Sequence, residues 1–336
     1  MADIKSYSLS RPHRLNNRFI RLQKLTKAVR KNNLAEAKCL IETGVTVNST
    51  SGGITPLHVA AAHNHVECAE LLLNNGAKHT LTISPSMSCP LHVACRFNSL
   101  ACVVLLINRG ADVNAVNGEG WAPLFLAVRS GYTKCTEVLV TSGALVDMKL
   151  QPPGQERPRE AEEGTDGLVP LHFAARHGQL ECIKVLLAHG ANVNATASTS
   201  RLTPLHMAVC RSNHASCVHQ LAAHAADVNM SDRFGNTPLH IASRKGYVES
   251  VEILLQAGAS PYALNKDDKR PFDLAMGPVK PFLESYLGQP RTLLFTCILA
   301  IRKALHRTRL EQSVAQLPLP GHIQAKVMLQ NSIRLF

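Results

Sequence analysis

The sequence predicts an all-α fold in which one pair of helices repeats along the chain, and three observations carry that prediction. A Pro-Leu-His signature recurs at Thr55-Pro56-Leu57-His58, Cys89-Pro90-Leu91-His92, Val169-Pro170-Leu171-His172, Thr203-Pro204-Leu205-His206 and Thr237-Pro238-Leu239-His240, with a variant at Ala122-Pro123-Leu124-Phe125. The starts at 55, 89, 122, 169, 203, 237 and a weaker Arg270-Pro271-Phe272-Asp273 lie 34, 33, 47, 34, 34 and 33 residues apart, and the 47 is a 33-residue period carrying 14 extra residues. A glycine follows 21 residues after most starts, at Gly76, Gly110, Gly143, Gly190 and Gly258, where a left-handed conformation ends a helix. A fixed period of this length marks units that bury their apolar faces against their neighbours.

Each element follows from local chemistry. Thr caps a first helix whose Pro sits at its first position, where no backbone donor is lost. A second helix follows, as at Glu67 to Leu73 or Glu249 to Leu255. Counting back from Gly44 places a degenerate first unit near Gln23, so residues 1–22 form a basic extension or cap, with Phe19, Ile20, Leu22 and Leu25 packing on the first repeat. The unit at 203 puts His224 where the others have Gly. The extra residues, near 151–164, contain three Pro, two Gly and no large apolar side chain, which predicts an acidic loop. A half-repeat over Pro281 to Leu287 ends the series.

The period and the Thr-Pro-Leu-His signature resemble the ankyrin repeat, a β-turn plus two antiparallel helices. The resemblance covers residues 23–287 and implies a solenoid of about seven repeats plus a terminal half-repeat.

Composition excludes several classes. No run approaches the roughly 18 consecutive apolar residues of a membrane span, and residues 1–32 lack a long apolar centre, so neither a membrane protein nor a secreted one is expected. The ten Cys contain no Cys-X2-Cys pair, and Cys68, Cys102, Cys135, Cys182 and Cys217 recur at similar points on the second helices. Reduced packing thiols are expected there, in the cytoplasm with the nucleus also open. The net charge of +12 sits at the ends, since residues 1–31 carry nine Lys or Arg against one Asp and residues 291–336 carry seven against one Glu. A uniformly basic nucleic-acid groove is not indicated. Metal binding by the recurrent His58, His92, His172, His206 and His240 is not expected, because repeats about 10 Å apart cannot bring successive imidazoles to the roughly 2.0 Å of a metal bond. No phosphate loop, nucleophile elbow or metal cluster appears, so neither catalysis nor a cofactor is expected.

After the repeats a different segment begins. Leu293, Cys297 and Ile301 are spaced i, i+4, i+8 along one helical face, with Leu294, Ile298 and Leu305 beside them. A helix apolar over so much of its circumference needs a second surface to cover it. Leu317-Pro318-Leu319-Pro320 and then Ile323 and Val327 follow, an extended stretch before a short helix.

Thr292-Leu293-X3-Cys297-X3-Ile301 followed by Leu317-Pro318-Leu319-Pro320 resembles a SOCS box, here over 290–330, and repeats ending in such a box are the layout of the ankyrin repeat and SOCS box family. Thr296 and Lys326 depart from the family's usual residues. The resemblance implies a non-catalytic substrate receptor of a ubiquitin ligase. Thr292, Leu293, Cys297 and Ile301 would bind elongin C, itself paired with elongin B. Leu317, Pro318, Leu319, Pro320 and Ile323 would select cullin-5 with its RING-box protein. The alternative is an ankyrin scaffold or inhibitor with no ubiquitin role.

Ankyrin stacks bind partners with turn tips and first helices. The residue before each start is expected to face solvent, which gives an apolar row of Ile54, Trp121, Leu168 and Leu202, with Trp121, the single Trp, as its anchor. Seven residues after the starts come Arg96, Arg129, Arg176 and Arg244, with Arg211 following Cys210, a basic row suited to an acidic protein substrate.

Overall fold

The computed structural model describes residues 11–150 and 167–288, and among them every regular element is helical. By backbone contacts the chain divides into two compact units, residues 1–192 with 197–199, and residues 193–196 with 200–336. The 151–164 insertion and the 290–330 box lie outside the described residues.

In the first unit, helices α1 (Arg11–Arg30), α3 (Pro56–His63), α5 (Pro90–Arg96), α7 (Pro123–Ser130) and α9 (Pro170–Arg176) are the inner members of successive pairs. Their outer partners are α2 (Leu34–Glu42), α4 (Val66–Asn74), α6 (Leu100–Asn108), α8 (Thr133–Thr141) and α10 (Leu180–Ala188). The second unit contains α11 (Pro204–Ala208) with α12 (Ala215–Ala223), α13 (Pro238–Lys245) with α14 (Val248–Gln256), and α15 (Val279–Gly288). Residues 271–274 form a turn and not a last inner helix; the Asp273 carboxylate accepts from the Arg270 backbone N–H at 2.8 Å and from its guanidinium at 3.1 Å. At the other end, α1 merges the basic extension with the first inner helix, burying Leu22, Leu25 and Val29 while Phe19 and Ile20 stay exposed.

The Pro-Leu-His signature builds the joint between repeats. In the repeats from 89, 169, 203 and 237 the His Nδ1 accepts the backbone N–H of the capping residue at 3.1–3.3 Å. That leaves the proton on Nε2, which donates to a carbonyl of the following finger: His92 to Trp121 at 2.9 Å, His206 to Asn236 at 3.0 Å and His240 to Lys269 at 3.0 Å. His58 makes the same bond to Ser88 at 3.1 Å. Burial pushes all four imidazoles below the ordinary value of 6.5, His58 to about 4, so they serve as neutral staples. No metal-binding cluster exists among the described residues.

A second staple comes from the Asn of the finger motif. Asn48 donates to the Gly76 carbonyl at 2.8 Å and accepts the Lys78 N–H at 2.8 Å; Asn114 and Asn229 do the same with Gly143 and Leu145 and with Gly258 and Ser260. The outer-helix thiols of Cys68, Cys102, Cys135, Cys182 and Cys217 are free and at most 2% exposed. Burial raises every one, Cys102 to about 12 and Cys135 to about 11, so they pack as apolar groups and do not react.

Two expectations fail, each for a physical reason. The residue before each start is not generally solvent-facing: Leu168 is 1% exposed, Ser88 and Asn236 are buried, Trp121 and Leu202 are half-buried, and Ile54 is the exposed member at 36%. Its carbonyl is the acceptor for the staple, as at Ser88, Trp121 and Asn236, which draws the residue into the joint between fingers. At Leu168 the carbonyl instead accepts the Leu150 N–H at 2.7 Å. The second failure is His224. It keeps an ordinary φ of −94°, while Ala225 takes the left-handed position at +62°, because the turn between α11 and α12 carries one extra residue.

Candidate functional site

A row of basic side chains lies where the inner helices of the first unit end. Arg96 closes α5 with Phe97 as its cap residue, 58% exposed, and Arg129 sits one residue before the end of α7. Arg176 holds the same register on α9 and is half-buried, with His177 exposed after it. Arg30 at the end of α1 and Lys31 just after it, both exposed, hold this register, so the row extends one repeat further than the Pro-Leu-His copies suggest. The signal was present in the sequence, since Arg30 lies seven residues after Gln23.

Trp121 fixes the middle of this row. Its indole packs edge-on against Phe125, with centroids 5.8 Å apart, and against Phe173 at 5.1 Å, and those two rings meet each other at 5.6 Å. Phe125 and Phe173 are buried, so the indole rests on an aromatic floor. The Arg129 guanidinium lies 5.5 Å from the indole centroid, a cation–π contact that orients it. The backbone is held as firmly. The Asn117 carboxamide oxygen accepts the N–H groups of Glu119 at 3.0 Å and Trp121 at 2.9 Å, and the Trp121 carbonyl accepts from His92 Nε2 and Asn117 N–H. Asp232 and Asn265 tie the fingertips of the second unit in the same way, a role that sequence reading missed although each residue stands five positions before a repeat start.

Charge is sorted between the two helix layers. Inner helices α1, α3, α5, α7 and α9 contain no Asp or Glu. Acids lie on the outer helices, with Glu36 and Glu42 on α2, Glu67 and Glu70 on α4, Glu137 on α8 and Glu181 on α10. In the second unit Arg211 and Arg244 are exposed, Arg244 near the end of α13, and the Arg233 guanidinium stacks 4.6 Å from the Phe234 ring. Of the apolar row, Ile54 and Trp121 remain accessible in the first unit and Leu202 belongs to the second; Leu168 is removed by burial. The box residues Thr292, Leu293, Cys297, Ile301, Leu317, Pro318, Leu319, Pro320 and Ile323 lie outside the described residues.

Recurrence of the staple His and finger Asn decides the family question together with one comparison: the family model for ankyrin repeats (3 copies) matches residues 10–83, 84–152, 150–230 and 171–265. The chain belongs to the ankyrin-repeat family. It is 37% identical over 124 residues to ankyrin repeat and SOCS box protein 5 of Bos taurus, a stretch covering 36% of this chain and 37% of that protein. It is 38% identical over 94 residues to protein phosphatase 1 regulatory subunit 27 of Homo sapiens, 28% of this chain and 60% of that one. Among solved structures, the human ASB11 ankyrin repeat domain superposes with a TM-score of 0.60 at 30% identity, covering 70% of this chain and all of that one. The fold is therefore the all-α ankyrin-repeat solenoid expected from the sequence, and homology to ankyrin repeat and SOCS box protein 5 bears out the family resemblance. The alignment with that relative spans little more than a third of its length. No described helix is long and apolar enough to cross a membrane.

Proposed function

We propose that this ankyrin-repeat protein is the substrate-recognition adaptor of an elongin B/C–cullin-5 RING ubiquitin ligase, holding a target protein on its repeats and docking the ligase through residues 290–330. The observation that carries this reading is the order of two motifs directly after the repeats, the Leu293, Cys297, Ile301 stripe and then Leu317-Pro318-Leu319-Pro320. Homology to ankyrin repeat and SOCS box protein 5 supports it. Three side chains of this kind contribute on the order of 1.5–3 kcal/mol each when a partner buries them, enough for a stable interface. The repeats supply recognition: rigid, stapled and carrying an accessible basic row, they hold a surface without spending ordering entropy on binding. No chemical step is assigned to the chain itself; it acts by bringing the target to the ligase.

The test is co-purification of elongin B/C with the intact chain and with Leu293→Pro/Cys297→Phe. A Pro distorts the helix and a phenyl ring overfills a small pocket, so the double variant should lose the elongins. Undiminished elongin recovery from it would sink the proposal and leave an ankyrin scaffold.

A further inference from the structure

We infer that the inner-helix ends of the first unit form a docking site for an acidic, extended protein segment that carries a large apolar side chain beside its acids. The inference rests on reading the repeats as the target-holding part and is independent of the C-terminal box.

Sign of charge comes first. Arg30, Arg96, Arg129 and Arg176 sit on helices with no acid at all, with Lys31 in the turn after α1, while every acid on the described helices of this unit lies in the outer layer. Residues 44–54 and 76–88, the first two fingers, also contain no Asp or Glu; Asp112 and Glu119 appear in the third, and Asp147 with the acidic 151–164 insertion in the fourth. Among the described residues, Arg30, Lys31, Arg96 and Arg129 make no ion pair, in contrast to Arg109, which bonds Glu70 at 3.0 Å across the outer helices. Positive charge on Arg30, Lys31, Arg96 and Arg129 that no acid of the described residues neutralises complements an acidic ligand and speeds its arrival.

Spacing then selects the ligand's form. Neighbouring packed helices stand about 8–10 Å apart, and an extended chain rises about 3.3 Å per residue. Successive arginines therefore meet every third residue of an extended segment. A nucleic-acid strand fits less well, because the row is interrupted at Ala62 and, beside the small imidazoles of His63 and His177, carries a single exposed phenyl ring, Phe97, in place of a series of large stacking platforms. Apolar chemistry completes the site. Phe97 is 58% exposed beside Arg96, and the half-buried indole of Trp121 lies under Arg129, two anchors that only an apolar side chain can use.

The full chain would be titrated, by fluorescence anisotropy, into a labelled peptide of about twelve residues, with Glu at every third position, a central Phe and Gly or Ser elsewhere. Parallel peptides would replace Glu by Lys, or Phe by Ser. We expect the acidic Phe peptide to bind in a salt-sensitive manner and the Lys peptide not to bind. Arg96→Glu/Arg129→Glu should weaken affinity at least about tenfold, Phe97→Ser roughly threefold, and Glu137→Lys on the outer layer should change nothing. If the charge reversal lowers the melting temperature, Arg96→Gln/Arg129→Gln keeps side-chain size and should still weaken binding roughly threefold. Equal affinity for the Lys peptide, indifference to both Arg pairs, or displacement of the acidic peptide by a single-stranded oligonucleotide of equal charge would each overturn the inference. Elongin B/C capture scored on the same samples separates the two readings, since a failure of peptide binding with elongin retained removes this site and leaves the adaptor standing.

Discussion

Trp121→Ala is the perturbation that best separates packing from recognition at the centre of the first unit. A Trp side chain offers about 200 Å² for burial, and half of that at about 25 cal/mol per Å² is about 2.5 kcal/mol. The edge contacts with Phe125 and Phe173 add about 0.5 kcal/mol each at the low end of such pairs. The bonds to His92 and Asn117 use the backbone of Trp121 and survive the change. The expected loss is therefore about 3.5 kcal/mol, which at a slope of about 3 kcal/mol per molar urea moves the midpoint down by about 1 M. Far-UV circular dichroism is the assay, because Trp121 is the single Trp and its fluorescence disappears with it. Trp121→Phe, which keeps an aromatic edge, should recover about half of the loss. A midpoint shift under about 0.3 M for Trp121→Ala would refute the argument, since it would make the indole a surface group.

Acid should weaken the stack through its staples. The folded His58 imidazole titrates near 4 against an ordinary 6.5, so the unfolded chain binds the proton first: the stability is complete above pH 6.5 and is lost as pH falls toward 4. That group alone accounts for about 3 kcal/mol, and urea titrations across this range should show a shallower pH slope for His58→Gln. Gly235 has φ +78° and an added Cβ would stand 2.9 Å from the Lys266 backbone N, whereas Gly76 at +82° has open space. Gly235→Ala should cost about 2 kcal/mol or more and Gly76→Ala about 1 kcal/mol; equal thermal melts for the two would refute the clash. On the proposed reading, replacing Leu317, Pro318, Leu319 and Pro320 with Ala should weaken cullin-5 recovery in a pull-down while elongin B/C stays bound, and unchanged recovery would show that segment misread.

What the sequence made legible was whatever repeats. Period, inner helices and buried Cys all follow from a motif written several times, because each copy meets the same neighbours. What it hid were departures tied to a single copy. Leu168 reads as one more residue of an exposed row, yet its carbonyl bonds Leu150 and its side chain is buried. Ala225 occupies a left-handed turn that spacing assigned to His224, since one extra residue in a turn has no signature of its own. Arg30 was hidden in the opposite way, by a first repeat too degenerate to carry Pro-Leu-His. Recognition is harder to read than fold here, because exposure of a side chain depends on which carbonyl its backbone gives to the next finger.

The short inner helix of the repeat at Thr203 bears on how the chain comes apart. α11 has five residues where α13 has eight, and Ala225 carries the left-handed strain of about 1–2 kcal/mol that Gly avoids elsewhere. In a repeat array stability sums over repeats and their neighbour contacts, so a weak repeat opens locally at lower cost than the rest. Among the described repeats, segment 209–214 is therefore expected to open more readily than the matching turn after α13, with the exposed Arg211 as a trypsin site that limited proteolysis would report. Opening at that turn would leave α5 and α7, which lie in the other compact unit, folded.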